Sequence, residues 1–211
     1  RCSVVVNFAA QGMVGESWTS PWDWYQTNIV GLARLVGALK DANLKKWIQF
    51  TTPEVYGSTE GWVKESFIFN PTTPYAISRA AADFHLKALN NTDGFPVIFT
   101  RASNVYGEGQ PLYRIIPRAM AAARLCEPLE LHGGGESIRN FIHIDDVSSA
   151  LFDIIEKGVV GSTYHISGEE SISIVGLVNK IFDLCGTADQ SDHLKKSVGE
   201  RSGKDFAYLL D

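Results

Sequence analysis

The chain opens on CSVVVNFAA, residues 2–10, in which three β-branched residues stand together with no polar position between them. Such a run fits a strand buried on both faces, as in a parallel sheet covered by helices, and predicts a strand over 2–8. After a Gly/Ser loop, Pro21 opens WDWYQTNIVGLARLVGALKDA. Its apolar positions recur at helical spacing, so a helix over 22–42 is expected. KWIQFTT (46–52) is a second apolar strand, stopped where Pro53 would remove a ladder amide. Residues 58–73 are polar with Gly and Pro and read as a loop. Thr73 and Pro74 then open a helix over 74–91, with Asn90, Asn91 and Gly94 as its stop signal. FPVIFTRAS (95–103) is a third strand. Strand, helix, strand, helix, strand predicts right-handed parallel crossovers and hence half of a doubly wound α/β sheet.

The later pattern is less regular. It predicts a helix at 112–125, strands at 129–132 and 138–143, and a helix at 145–157 capped by Asp145. A strand at 162–166 and a helix at 173–186 capped by Ser173 follow, with turns at GGG (133–135) and SGEES (167–171). Two interleaved subregions with no linker are expected.

Composition narrows the function. Of 211 residues, 19 are basic and 24 acidic, a net charge of −5, and the basic residues are scattered. That is no footprint for a nucleic-acid backbone or an anionic membrane. Cys2, Cys126 and Cys185 lie far apart in no metal-binding spacing, which points to no metal and to a reducing cytoplasm. No run approaches the roughly 20 apolar residues of a membrane span, and no charged-then-apolar leader is visible, so nothing is expected to anchor or target the chain.

A dinucleotide-binding sheet normally carries a G-x-G-x-x-G turn, because backbone amides must approach the pyrophosphate. These residues contain none, and Gly133–Gly135 lead through Glu136 toward a strand rather than a helix. A reactive-looking pair is present instead. Tyr75 and Arg79, four apart at the start of a helix, share one face, where the cation could stabilise a phenolate; the plainer reading is an exposed helix face. Thr51, Thr52 and Glu54 sit at the carboxyl end of the preceding strand, the edge at which open α/β sheets bind ligands. The alternatives are a solvated loop acid for Glu54 and a turn residue for Thr52.

At these residues the chain resembles the extended short-chain dehydrogenase/reductases, the NAD-dependent epimerase/dehydratase family, and looks most like its nucleotide-diphosphate-glucose 4,6-dehydratase branch. The matching blocks are NFAAQ (7–11), QTNIVG (26–31), TTPEVYG (51–57), PTTPYAISRAA (71–81), RASNVYGEGQ (101–110), RIIPRAM (114–120), HGGGESIRNFIHIDDV (132–147) and GERSGKDFAYLLD (199–211). The resemblance implies NAD as cofactor, a nucleotide-diphosphate sugar as substrate, oxidation at the sugar C4, and a homodimer paired through the helices at 22–42 and 74–91. Tyr75 matches the base that takes the C4 hydroxyl proton. Thr52 matches a hydrogen-bonding partner of the same oxygen, Glu54 the base for the C5 proton, and Arg79 the family lysine. Ala9, Ala10, Gln11, Asn28, Thr51, Tyr75 and Arg79 fall at cofactor positions. Asn104, Arg139 and Arg201 fall at positions facing the sugar and its diphosphate.

The chain also departs from that pattern. Pro53 stands where the dehydratases carry an aspartic acid that protonates the leaving hydroxyl, so a C4 or C5 epimerase or a decarboxylase competes with dehydration. Arg79 keeps the charge of the lysine it replaces, so the Tyr75 phenol is expected to titrate below its ordinary range. Against the family, 2–8 corresponds to the fourth strand of the sheet. The resemblance therefore implies a Rossmann-like sheet lacking its first three strands, built from 1–109 and 140–167, with a smaller α/β substrate-binding lobe from 110–139 and 168–211. Weak or absent NAD binding by these residues alone follows from the missing glycine turn. A non-catalytic binding or assembly module is the reading of a different class.

Overall fold

The computed structural model describes residues 2–39, 41–200, 203 and 205–211. In chain order the strands are β1 (Val4–Asn7), β2 (Lys46–Thr51), β3 (Trp62–Val63), β4 (Val97–Ala102), β5 (Asn104–Tyr106), β6 (Leu129–His132), β7 (Ile138–His143), β8 (Thr163–Ile166), β9 (Ser171–Ser173), β10 (Lys195–Val198) and β11 (Ala207–Leu210). The helices are α1 (Pro21–Tyr25), α2 (Leu32–Ala38), α3 (Pro74–Asp93), α4 (Ile115–Leu125), α5 (Ile144–Lys157) and α6 (Ile174–Leu184), with a further turn of helix at Ser191–Leu194.

β1, β2, β4 and β8 form a four-stranded parallel sheet in that order, in register Val4 to Lys46, Trp47 to Val97 and Phe99 to Thr163. Successive residues point to opposite faces, and helices cover both, which is why these strands read as continuous apolar runs. Trp47, Val97 and Phe99 pack with Leu32, Val36, Ala82 and Leu86 on one face. Ile48, Ile98 and Ala102 pack with Val147, Ile154 and Ile166 on the other. The expected α/β architecture is present.

A second group of strands, β3-β11-β7-β5 with β9 antiparallel on β7, and the parallel pair β10-β6, lies beyond that sheet. α4, β6 and α6 share their own core of Ala119, Ala122, Ala123, Leu129, Leu131, Val178, Ile181 and Phe182.

Several boundaries differ from the sequence reading. The expected helix over 22–42 is α1, a wide π turn over Gln26–Gly31, and α2. The π turn carries the buried Asn28, whose side chain bonds outside the helix. The helix expected at 112–125 begins at Ile115. Pro117 explains the shift, because a proline deeper in a helix would lack its amide and clash with the carbonyl four residues back, here that of Tyr113. α5 is capped by His143, not Asp145: the ring Nδ1 accepts from the Asp145 backbone N–H at 3.3 Å. Asp145 and Asp146 instead occupy the first turn, where the helix dipole favours negative charge. The loop expected over 58–73 contains β3, which pairs with β11. Thr73 and Ser173 cap α3 and α6 as expected, accepting from Ala76 N and Gly176 N at 3.1 Å each, and Gly94 closes α3 in the left-handed conformation.

Candidate active site

The carboxyl edge of the four-stranded sheet gathers the candidate groups. β2 ends at Thr51, and Thr52 turns the chain: its hydroxyl accepts from the Glu54 N–H at 3.3 Å and caps a 3-10 turn over Pro53–Tyr56. Pro53 is the first residue of that turn, where no amide is needed. Gly57 follows at φ 70°, and a Cβ there would run into the Asn70 carbonyl oxygen, so only glycine fits. α3 starts opposite, with the Tyr75 N–H donating to Ser17 Oγ at 3.2 Å.

Thr52, Glu54, Tyr75 and Arg79 therefore come together. The Thr52 hydroxyl reaches the Tyr75 phenol, and the Glu54 and Arg79 charges act on it from either side. Burial raises the Glu54 carboxyl to about 7, helped by the neighbouring Asp205 charge and opposed by Arg139 and Arg114. Burial also pushes the Tyr75 phenol above its ordinary value, with Arg79, Thr52 and Arg114 pulling the other way and Glu54 adding to the rise. This overturns the expectation of a lowered phenol: desolvation outweighs the cation. The plain reading of an exposed helix face fails as well, because Arg79 is buried, and its Nη2 donates to the Phe50 carbonyl oxygen at the end of β2.

Of the positions matched to the cofactor, Ala9, Ala10 and Gln11 form an exposed turn just past β1, with Ala9 N–H donating to Asn7 Oδ1 at 3.2 Å. Asn28 does not open onto that turn but holds it. Its Oδ1 accepts from Gln11 N–H at 2.7 Å, and its Nδ2 donates to Gln11 O at 3.0 Å and to Ser78 Oγ at 2.8 Å. Thr51 is buried with its hydroxyl facing the Asp83 carboxylate.

Asn104 and Arg139 lie on β5 and β7. The Arg139 guanidinium is drawn inward: Nη1 donates to the Ile138 and Phe206 carbonyls at 2.7 and 2.8 Å, Nη2 to the Asp205 carbonyl at 2.7 Å, and it stacks 4.2 Å over the Tyr208 ring. Tyr208 is buried, bonds Asn104 and Arg139, and is pushed up to about 12 by burial and by Glu54, so it is a neutral phenol at ordinary pH. Arg201 lies outside the described residues.

Three groups around Glu54 escaped the sequence reading. Arg114 precedes α4 and acts on both Glu54 and Tyr75. Asp205, which accepts from Thr72 Oγ1 at 3.0 Å, and Tyr208 arrive with the last strand. Their only sequence signal was membership of the matched blocks at 114–120 and 199–211.

The groups at this edge suit the nicotinamide-ribose end of a dinucleotide: a phenol, a buried cation acting on it, and an exposed backbone turn tied to the same helix through Asn28. Among the described residues no group of three His, Cys, Asp or Glu could hold a metal, and no helix is long and apolar enough to cross a membrane.

Residues 1–167 match the model of the NAD dependent epimerase/dehydratase family, and the chain belongs to that family. It is similar to dTDP-glucose 4,6-dehydratase of Xanthomonas campestris pv. campestris, 32% identical over 98% of this chain and 61% of the relative. The human dTDP-D-glucose 4,6-dehydratase is 32% identical over 100% of this chain and 61% of its own length. Among solved structures, a dTDP-glucose 4,6-dehydratase from Streptomyces venezuelae with NAD bound superposes with a TM-score of 0.93 at 30% identity, covering 99% of this chain and 64% of that one. A UDP-glucuronic acid 4-epimerase from Bacillus cereus, in complex with UDP-glucuronic acid and NAD, superposes at 0.92 with 25% identity over 99% and 66%. The chain thus spans about six tenths of the length of the curated dehydratases it matches.

Proposed function

We propose that this chain carries the catalytic edge of an NAD-dependent enzyme that modifies a nucleotide-diphosphate sugar by first oxidising its C4 hydroxyl. The observation that supports this most is the meeting of Thr52, Glu54, Tyr75 and Arg79 at the carboxyl edge of the parallel sheet. NAD, when bound, supplies the oxidant. The turn at Ala9–Gln11, Tyr75 and Arg79 would hold its nicotinamide-ribose end, with Asn28 fixing the turn.

Tyr75, in the phenolate form that Arg79, Thr52 and Arg114 favour against burial, takes the proton of the C4 hydroxyl, and Thr52 holds the same oxygen in place. Glu54, half ionised near pH 7, is poised to take the proton next to the new carbonyl. Asn104, Arg139 and Arg201, which match family positions facing the sugar and its diphosphate, would serve the substrate, with Arg139 acting through the segment it ties down. Residues 1–109 and 140–167 form the cofactor-binding part and 110–139 with 168–211 the substrate lobe. This division is supported by the four-stranded sheet drawing all its strands from the first set, and by the separate core of α4, β6 and α6. A cytoplasmic homodimer is the setting we propose, supported by the exposed apolar Val30, Leu35, Ile77 and Phe84 along the long helices.

Pro53 favours a second outcome after the same oxidation. Proline has no proton to give a departing C6 hydroxyl, so epimerisation or decarboxylation competes with loss of water. Incubating the protein with NAD and either dTDP-glucose or UDP-glucuronic acid, then weighing the products, separates the three. Loss of water marks dehydration, loss of carbon dioxide marks decarboxylation, and an isomer of equal mass marks epimerisation. No change with either sugar under conditions where fluorescence titration shows the cofactor bound, with Tyr75→Phe indistinguishable from the parent, would favour the non-catalytic module.

A further inference from the structure

Tyr75, Arg79 and Asp83 recur every four residues along α3 and share one face. Asp83 is fully buried, and its Oδ2 accepts from Arg101 Nη2 on β4 at 3.0 Å. Arg101 is fully buried too. Its Nη1 donates to the Tyr56 hydroxyl at 3.0 Å, and its guanidinium lies 4.9–5.2 Å from the ring centres of Tyr56, Phe67 and Phe69. The Tyr56 hydroxyl is in turn 2.9 Å from His165 Nε2 on β8. Burial raises the Asp83 carboxyl above its ordinary value, opposed by Arg101, by the Arg79 charge one turn back along α3 and by the Thr51 hydroxyl from β2.

One guanidinium thus pairs directly with the buried carboxylate, and a second acts on it from one helical turn away. A buried guanidinium without a compensating negative charge is costly, so the carboxylate stabilises both. A second observation ties Arg79 to it. Arg79 Nε, a donor, and Asp83 Oδ1, an acceptor, one helical turn apart, are both buried without a hydrogen-bond partner among the described residues, as are Thr51 Oγ1 and Arg101 Nε around the same carboxylate.

We propose that Asp83 is a positioning residue of the catalytic edge: clamped by Arg101, its carboxylate holds the Arg79 guanidinium on the inward side of α3 and so limits the positive charge presented to Tyr75. This rests on the reading of Tyr75 as the proton-transferring group. The charges facing Tyr75 are Arg79 on its own helix, Glu54 on the turn after β2, and Arg114 before α4, so Asp83 acts on the phenol by way of Arg79. Removing the carboxylate should free Arg79 toward the phenol and favour the phenolate.

The test needs neither cofactor nor turnover. The protein is labelled throughout with 3-fluorotyrosine, whose phenol titrates at lower pH, and the fluorine resonance of Tyr75 is assigned with Tyr75→Phe and followed against pH. Asp83→Asn should lower the Tyr75 midpoint by about half a pH unit or more, and the shift should vanish in the Arg79→Met background. Should Asp83→Asn not fold, Asp83→Leu combined with Arg101→Leu keeps the net buried charge, replaces the ion pair with apolar packing, and should lower the midpoint in the same direction. A midpoint that is unchanged or raised, or a shift that persists equally in Arg79→Met, overturns the proposal. Absence of turnover on nucleotide sugars with the titration shift intact would overturn the catalytic reading alone.

Discussion

Asn28 on the π turn donates to Ser78 Oγ on α3 at 2.8 Å, across 50 residues of sequence. Ser78 Oγ in turn donates to the Tyr75 carbonyl at 2.7 Å, while the same asparagine grips both backbone polar groups of Gln11. The turn after β1 is thereby tied to the helix turn that carries the candidate base. A regular α-helix over 22–42 would place residue 28 by the 3.6-residue repeat; the wide turn places it against two other segments, as such insertions often do near functional sites.

Asn28→Ala should therefore lower stability by about 2–3 kcal/mol, since the Gln11 N–H and carbonyl and the Ser78 hydroxyl lose partners in a partly buried place. Urea unfolding measures it. A loss below about 0.5 kcal/mol would mean that water replaces the asparagine at little cost.

The raised Glu54 carboxyl makes stability depend on pH. The unfolded group titrates near 4.5 and the native one at about 7, so between these values the native state binds more protons than the unfolded state. The contribution is fully present below pH 4.5 and is lost as pH rises through 7. It amounts to about 2–3 kcal/mol, since Glu54 is half-buried. Glu54→Gln should abolish this decline, gaining on the parent by that amount between pH 4 and pH 8 in urea midpoints. Parallel curves for the two proteins would contradict it.

Pro53→Asp should still fold, because the first position of a helical turn needs no amide hydrogen bond, and the burial of this position favours the neutral, proton-donating form of the new carboxyl. With a proton donor restored, the share of product that has lost water should rise at the expense of the isomer or decarboxylated product, read by mass spectrometry. An unchanged product ratio would show that the acid comes from elsewhere.

Arg139→Met should cost about 2–4 kcal/mol by stripping three carbonyls of their donor and removing the stacking on Tyr208. Amides of β11, which pairs with β7 at Ala207 and Ile138, should exchange faster in hydrogen-exchange mass spectrometry. Arg139→Lys should restore only part of the protection, since a point ammonium cannot span the carbonyls of Ile138, Asp205 and Phe206 together.

The four strands of the parallel sheet, α3 with its Thr73 cap and Gly94 stop, and the meeting of Thr52, Glu54, Tyr75 and Arg79 were legible in the residues. Each is carried by a local signal: a run of apolar positions, a cap at fixed offset, or a strand end facing a helix start. The tertiary structure alone decided the pairing of β3 with β11 and of β10 with β6, because β3, β10 and β11 carry too little periodicity to read, and their partners lie far away in sequence. It alone turned Asn28 and Arg139 from candidate ligand contacts into ties between segments, since the direction of a polar side chain follows from which carbonyls and amides folding leaves near it. The Tyr75 phenol shows the same division. Its four-residue spacing from Arg79 is written in the chain, but the sign of its shift depends on burial, which comes from every segment packed around it.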